Sequence, residues 1–236
     1  FKFVEADILK MNLVDVFKGA AVVIHLAAIT DAANSFQNRD LIEEVNYKAT
    51  IKVAQECLIA DCPLIYLSST SVYGTQEEIV DEACRPEELQ PQSPYAESKL
   101  KGEQYLQDQV GLNFIVCRFG TIAGVSPGMR FHTAVNKFCW QAVMGQPITV
   151  WQTALHQKRP YLALNDAVSA LQFIIENSLF DREIYNVLTD NLTVYQIVEM
   201  IRNHIPGLAI KHVDTEIMNQ LSYEVSTSKF CGKGFK

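Results

Sequence analysis

Three side chains carry the chemistry that this sequence can do. Ser69 lies in the hydroxyl-rich run Leu67-Ser68-Ser69-Thr70-Ser71-Val72-Tyr73-Gly74, and Tyr95 and Lys99 stand four apart in Pro94-Tyr95-Ala96-Glu97-Ser98-Lys99. On a helix that spacing puts both on one face, with the lysine ammonium beside the phenol. A free tyrosine titrates at about 10, but a fixed positive charge next to it favours the phenolate and so makes a base. A serine hydroxyl at a strand end donates to the same substrate oxygen. Together the three describe proton transfer to or from an alcohol while hydride moves to a nicotinamide.

The elements that must position these groups follow from local signals. Ser93 caps a helix and Pro94 suits its first turn, so the sequence predicts a helix over 94–109 that Tyr95 enters at its start. Residues 63–67 form a continuous apolar run that ends at Ser68 and Ser69, a buried strand delivering the serine at its carboxyl end, where open parallel sheets bind ligands. Further strands are expected at 1–8, 21–28 and 114–118, and a helix over 41–60 from the ladder Leu41, Val45, Ala49, Val53 and Cys57. The polar, proline-bearing stretch 75–92 reads as a loop. Strand, helix, strand, helix, strand with connections of the right length predicts an α/β chain with a doubly wound parallel sheet. Later segments predict a helix over 132–144, a strand at 148–151, a helix over 167–176 capped by Asp166, a strand at 184–187 and a helix over 194–202. His25, in mid-strand, reads as structural.

Composition narrows the class of partner. A chain of 236 residues with 48% hydrophobic and 20% charged residues holds a sizeable core. Its net charge of −7, with no basic run, argues against nucleic acid or an anionic membrane and for a small molecule. No apolar run approaches the ~20 residues that span a bilayer, and no basic start precedes an apolar stretch. Six scattered cysteines, Cys57, Cys62, Cys84, Cys117, Cys139 and Cys231, lack metal spacing and read as reduced thiols of a cytoplasmic protein, with no metal expected.

These motifs resemble those of the extended short-chain dehydrogenase/reductases, the NAD-dependent epimerase/dehydratase family. The resemblance covers nearly the whole chain and implies Ser69, Tyr95 and Lys99 as the catalytic residues. It implies a Rossmann-like sheet with a smaller substrate lobe, the cofactor-binding part at 1–127 and 160–180 and the lobe at 128–159 and 181–236. NAD contacts are implied at Asp7, Ile8, Leu26, Ala27, Ala28, Asn46, Tyr95, Lys99 and Phe119; NADP is left open. Asp7 also reads as a cap of the turn that follows it, and Asn46 as a satisfied amide. Ser69, Thr70, Ser71, Thr121 and Arg159 are implied for the substrate, Arg159 pairing with the diphosphate of a nucleotide sugar. Where the family often has asparagine, Thr121 stands.

Dehydratases of the family place Asp-Glu after the catalytic Ser/Thr, and some decarboxylases a glutamate; here those positions are Thr70 and Ser71, which do not protonate a leaving hydroxyl. A nucleotide-sugar epimerase is therefore expected, with a reductase or dehydrogenase of a keto sugar or sterol-like alcohol, or a non-turnover nucleotide-binding protein, as alternatives. A homodimer through paired helices is implied by analogy. The glycine-rich turn that holds a pyrophosphate is not found, since Gly120, Gly124 and Gly128 have the wrong spacing. The expectation is an amino-terminally incomplete fold, short of roughly 50 to 60 residues, that binds NAD poorly by itself.

Overall fold

A computed structural model describes residues 2–32, 34–214 and 222–236. In chain order the elements are α1 (Val14–Phe17), β1 (Val23–His25), α2 (Arg39–Ile42), α3 (Ala49–Ala60), β2 (Leu64–Ser69), β3 (Ile79–Val80), α4 (Pro94–Asp108), β4 (Phe114–Phe119), β5 (Thr121–Ala123), α5 (Ala134–Val143), β6 (Ile148–Trp151), β7 (Lys158–Ala163), α6 (Leu164–Glu176), β8 (Ile184–Val187), β9 (Asp190–Thr193), α7 (Val194–His204), β10 (Ile210–Val213), β11 (Glu224–Val225) and α8 (Ser228–Cys231). They fall into two compact units, one drawn from 1–72, 91–118 and 172–185, the other from 73–90, 119–171 and 186–236. This division differs from the expected one. Residues 73–90, 119–127 and 160–171 go with the second unit because their strands pair there, β3 with β11 and β5 with β7, and 181–185, expected in the lobe, go with the first.

The first unit is built on a sheet of order β1-β2-β4-β8. β1 runs parallel to β2 with Val23 opposite Leu64 and His25 opposite Tyr66. Every residue of β4 is buried, Arg118 among its otherwise apolar side chains, as a strand with both faces covered requires. Val53 and Cys57 of α3, Leu106 of α4, Leu64 and Tyr66 of β2, and Phe114 and Val116 of β4 form one core cluster. α2 passes into α3 through a π-helical turn, Glu43–Lys48, so the predicted helix over 41–60 is a single rod with a bulge in it.

The expected strand at the start is a correction. Phe1 lies outside the described residues, and 2–7 are extended without a ladder. The amides of Lys10 and Met11 donate to the Asp7 carbonyl, each at 3.0 Å, and make a turn. Alternation predicts a strand only where a neighbour completes the ladder; among the described residues none lies beside this segment, and Phe3 is 75% exposed. β1 is likewise shorter than the predicted 21–28, because pairing with β2 stops at His25. The stretch 75–92, read as a loop, carries the two-residue strand β3.

In the second unit a sheet of order β5-β7-β9 pairs β5 and β7 in parallel and β7 and β9 antiparallel, while β6 and β10 form a parallel pair. Phe138 and Ala142 of α5 and Ile197, Val198 and Ile201 of α7 pack with Ile148, Val150 and Tyr161. None of the six cysteines is joined in a disulfide. Among the described residues no helix is long and apolar enough to cross a membrane.

Candidate active site

The helix start behaves as its residues dictate. Ala96 N donates to Ser93 Oγ at 3.2 Å, Pro94 occupies the first turn, and α4 begins there. Tyr95, Lys99 and Glu103 then fall on one face at intervals of four. Lys99 is buried on that face: Nζ donates to the Leu67 carbonyl at 2.7 Å and lies 5.0 Å from the Tyr66 ring centroid and 6.0 Å from that of Tyr95. Burial pushes its pKa down to about 8, against the pull of the Glu103 carboxylate, which favours the charged form. Tyr95 is half-buried. Gly102 allows the helix to sit this close, since a Cβ there would come within 2.3 Å of Tyr66 Oη.

At the end of β2, alternation sends successive serines to different partners. Ser68 is buried and its hydroxyl donates to Glu103 Oε1. Half-buried Ser69 accepts from Ser71 N at 3.2 Å and shares a 2.9 Å contact with Ser71 Oγ. Beneath them Glu103 is gripped by Arg118 of β4, Nε to both carboxylate oxygens at 3.0 and 3.2 Å and Nη2 to Oε2 at 2.6 Å. This enclosed ion pair was missed from the sequence. The available signals were an arginine inside the apolar strand 114–119 and an acid one helical turn beyond Lys99.

Asn46 sits in the π-helical turn, buried, and works as a clasp. Its Oδ1 accepts from Ile29 N at 2.8 Å, and its Nδ2 donates to Ile29 O at 3.0 Å and Ser98 Oγ at 3.2 Å. The chain leaving β1 is thereby tied to α4 at the residue next to Lys99. Thr50 Oγ1 donates to the Asn46 carbonyl at 2.7 Å and so receives the proton of His25 Nε2 at 3.1 Å. Burial, helped by the Lys99 charge, pushes the His25 pKa down to about 4, so the ring, at the end of β1 rather than in mid-strand, is neutral and packs as a structural group.

The remaining sequence-derived residues are distributed as follows. Leu26 and Ala27 are exposed and Ala28 half-buried just past β1. Asp7 accepts from Leu9 N at 2.9 Å, which with a 3.3 Å ion pair to Lys10 lowers its pKa and makes it the cap of its own turn. Ile8 packs on the core cluster. Thr70 is buried and Ser71 half-buried. Phe119, Thr121 and Arg159 belong to the second unit, Phe119 buried at the end of β4, Thr121 paired with Tyr161, and Arg159 half-buried on β7 opposite Leu192. Asp166 does not cap its helix: α6 begins at Leu164, and the Asp166 carboxylate instead accepts from Thr189 Oγ1 at 2.5 Å. Thr189 in turn receives Ala163 N at 2.7 Å, a contact between β7 and the approach to β9 that takes the carboxylate away from the helix amides.

A strand-end serine, a half-buried tyrosine and a buried lysine thus share one unit, and residues 1–187 match the family model described as NAD dependent epimerase/dehydratase family. The chain belongs to that family. Among curated members it is 25% identical over 230 residues to an uncharacterised UDP-glucose epimerase, YtcB, of Bacillus subtilis, covering 94% of this chain and 70% of the relative. A dTDP-D-glucose 4,6-dehydratase of Dictyostelium discoideum is 28% identical over 206 residues, covering 80% of this chain, which spans 46% of that relative's length. Among solved structures of the fold, MoeE5 in complex with UDP-glucose and NAD aligns with a TM-score of 0.85 at 25% identity, over 99% of this chain and 79% of that one. Residues of the first unit fit the dinucleotide named by the family: small side chains at Ala27 and Ala28 leave the backbone approachable, and Asn46 holds this stretch to α4 next to the Lys99 cation.

Proposed function

We propose that this chain is the catalytic part of an NAD-dependent nucleotide-sugar epimerase. The observation that carries the reading is the buried Lys99 ammonium, 6.0 Å from the ring centroid of Tyr95 on a helix face that also meets the end of β2. The relatives that are UDP-glucose epimerases and the MoeE5 complex with UDP-glucose and NAD support the choice of cofactor and substrate class. Among the described residues no group of three or more His, Cys, Asp or Glu is placed to hold a metal ion, and none is invoked.

Tyr95 as phenolate takes the proton of a sugar hydroxyl and later returns it, while Ser69 hydrogen-bonds the same oxygen. Lys99 holds positive charge beside the phenol and so favours the phenolate at neutral pH. NAD, when bound, supplies an acceptor and then a donor of hydride; Asp7, Ile8, Leu26, Ala27, Ala28, Asn46, Lys99 and Phe119 would hold it. Re-delivery of hydride to the other face inverts the carbon with no net oxidation. Thr70 and Ser71 lack the acid that elimination of a hydroxyl requires, which favours epimerisation over dehydration. Arg159 would pair two diphosphate oxygens, and Thr121 would meet the sugar. We place the enzyme in the cytoplasm and read it as a homodimer.

The test is incubation of the chain with NAD and a panel of UDP- and dTDP-sugars, with products identified by NMR. An epimer formed without net accumulation of reduced cofactor supports the proposal. Stoichiometric reduced cofactor instead assigns a dehydrogenase, and a 4-keto-6-deoxy product a dehydratase.

A further inference from the structure

Ser69 is the last residue of β2, and Ser71 follows in the 3-10 turn Thr70–Tyr73. Two contacts join them, Ser71 N to Ser69 Oγ at 3.2 Å and Ser71 Oγ to Ser69 Oγ at 2.9 Å. A serine oxygen accepts two hydrogen bonds and donates one. The amide can only donate, so it fills one acceptor position on Ser69. The hydroxyl contact has two possible directions. With Ser69 as donor, its one proton is engaged by Ser71 and none remains for a substrate. With Ser71 as donor, both acceptor positions of Ser69 are filled and its proton is directed to whatever oxygen lies in front of it.

We propose that Ser71 is a positioning residue whose amide and hydroxyl both donate to Ser69 Oγ, leaving Ser69 able only to donate to the sugar oxygen. This rests on the epimerase reading. The resemblance implied that Ser71 meets the substrate; the geometry gives its hydroxyl to Ser69 instead. The chemistry explains why that matters. The reacting oxygen is an alcohol at the start and a carbonyl after oxidation, and the carbonyl only accepts. A serine free to rotate would divide its time between accepting the alcohol proton that Tyr95 must take and donating to the oxygen, and would be poised for the carbonyl only part of the time. A serine restricted to donation serves both states and strengthens as negative charge develops on the oxygen.

A double-mutant cycle with Ser69→Ala, Ser71→Ala and the pair tests the assignment. Ser71→Ala is expected to lower kcat about three- to tenfold, the scale of one hydrogen bond, with KM unchanged. Ser71→Thr, which keeps the hydroxyl, is expected to recover most of it. In the Ser69→Ala background Ser71→Ala is expected to have no further effect on kcat. A raised KM with unchanged kcat, or the same fold loss in both backgrounds, assigns Ser71 directly to the substrate and overturns the proposal. Neutron diffraction from deuterium-exchanged crystals decides the same point without turnover. A Ser71 deuteron on the line to Ser69 Oγ supports the assignment, and a Ser69 deuteron aimed at Ser71 Oγ overturns it. If the wild-type chain, once shown to hold NAD, converts no nucleotide sugar, the epimerase reading fails while the neutron map still settles the hydrogen-bond direction.

Discussion

Helices α4 and α7 are held by opposite means. α4 buries Ser98, Lys99, Gly102 and Glu103, and its place is fixed by groups that must each find a partner. α7 buries only Ile197, Val198 and Ile201, and its start is closed by a reciprocal cap in which Thr193 Oγ1 accepts from Gln196 N at 3.1 Å and Thr193 N donates to Gln196 Oε1 at 2.8 Å. Burying a charged pair gains little over burying apolar groups of the same shape, because desolvation offsets the attraction. A helix that nevertheless encloses a lysine and a glutamate is therefore organised around chemistry, whereas α7 is organised around area removed from water.

The sharpest way to break this contrast is to remove the base. Tyr95→Phe is expected to lower epimerase turnover about a hundred- to ten-thousand-fold with little change in the urea midpoint; a variant that keeps its activity removes Tyr95 from the mechanism. Next come the cores. Glu103→Ala leaves the Arg118 guanidinium enclosed without its acid and is expected to cost about 3–5 kcal/mol in urea unfolding. Replacing the pair together, Glu103→Leu with Arg118→Met, should recover most of that loss. Ile197→Ala in α7 is expected to cost about 2–5 kcal/mol, with no apolar exchange elsewhere able to rescue it by neutralising a charge. A Glu103→Ala cost below 1 kcal/mol would place the two helices in one class.

Two smaller effects sharpen the comparison. His25, whose folded pKa is pushed down to about 4, is neutral when folded, so the unfolded chain takes up the proton first as pH falls. Its contribution is fully present above about 6.5 and is lost as pH falls toward 4, amounting to about 3 kcal/mol across that window. His25→Gln should flatten the difference in stability between pH 7 and 4.5, measured against wild type so that the carboxylates cancel. Least of all, Thr193→Ala should cost about 1 kcal/mol through loss of the α7 cap, with kcat unaltered.

Much of this was legible in the sequence where the governing signal is local. Ser93 and Pro94 set the start of α4, and mostly apolar runs set β2 and β4. His25, read as structural from an expected mid-strand place, is in fact the last residue of β1, where burial keeps the ring neutral and Thr50 holds its Nε2. The second serine of β2 faces away from the first because a strand alternates. The readings that failed depended on partners far away in the chain. Residues 2–8 alternate like a strand, but alternation supplies no neighbour to pair with. Asp166 has the right residue type for a cap, yet Thr189, 23 residues later, takes its carboxylate.

What the sequence determined by itself is the set and spacing of reacting groups: a hydroxyl at a strand terminus, and a phenol and an ammonium one helical turn apart. Spacing along a helix or strand follows from backbone geometry and needs no tertiary information. Only the folded chain decided that Glu103 closes on Arg118 across 15 residues, that Asn46 clasps Ile29 and Ser98, and that Ser71 turns back onto Ser69. These are choices among many possible hydrogen-bond partners. The choice is made when packing removes water from all the others.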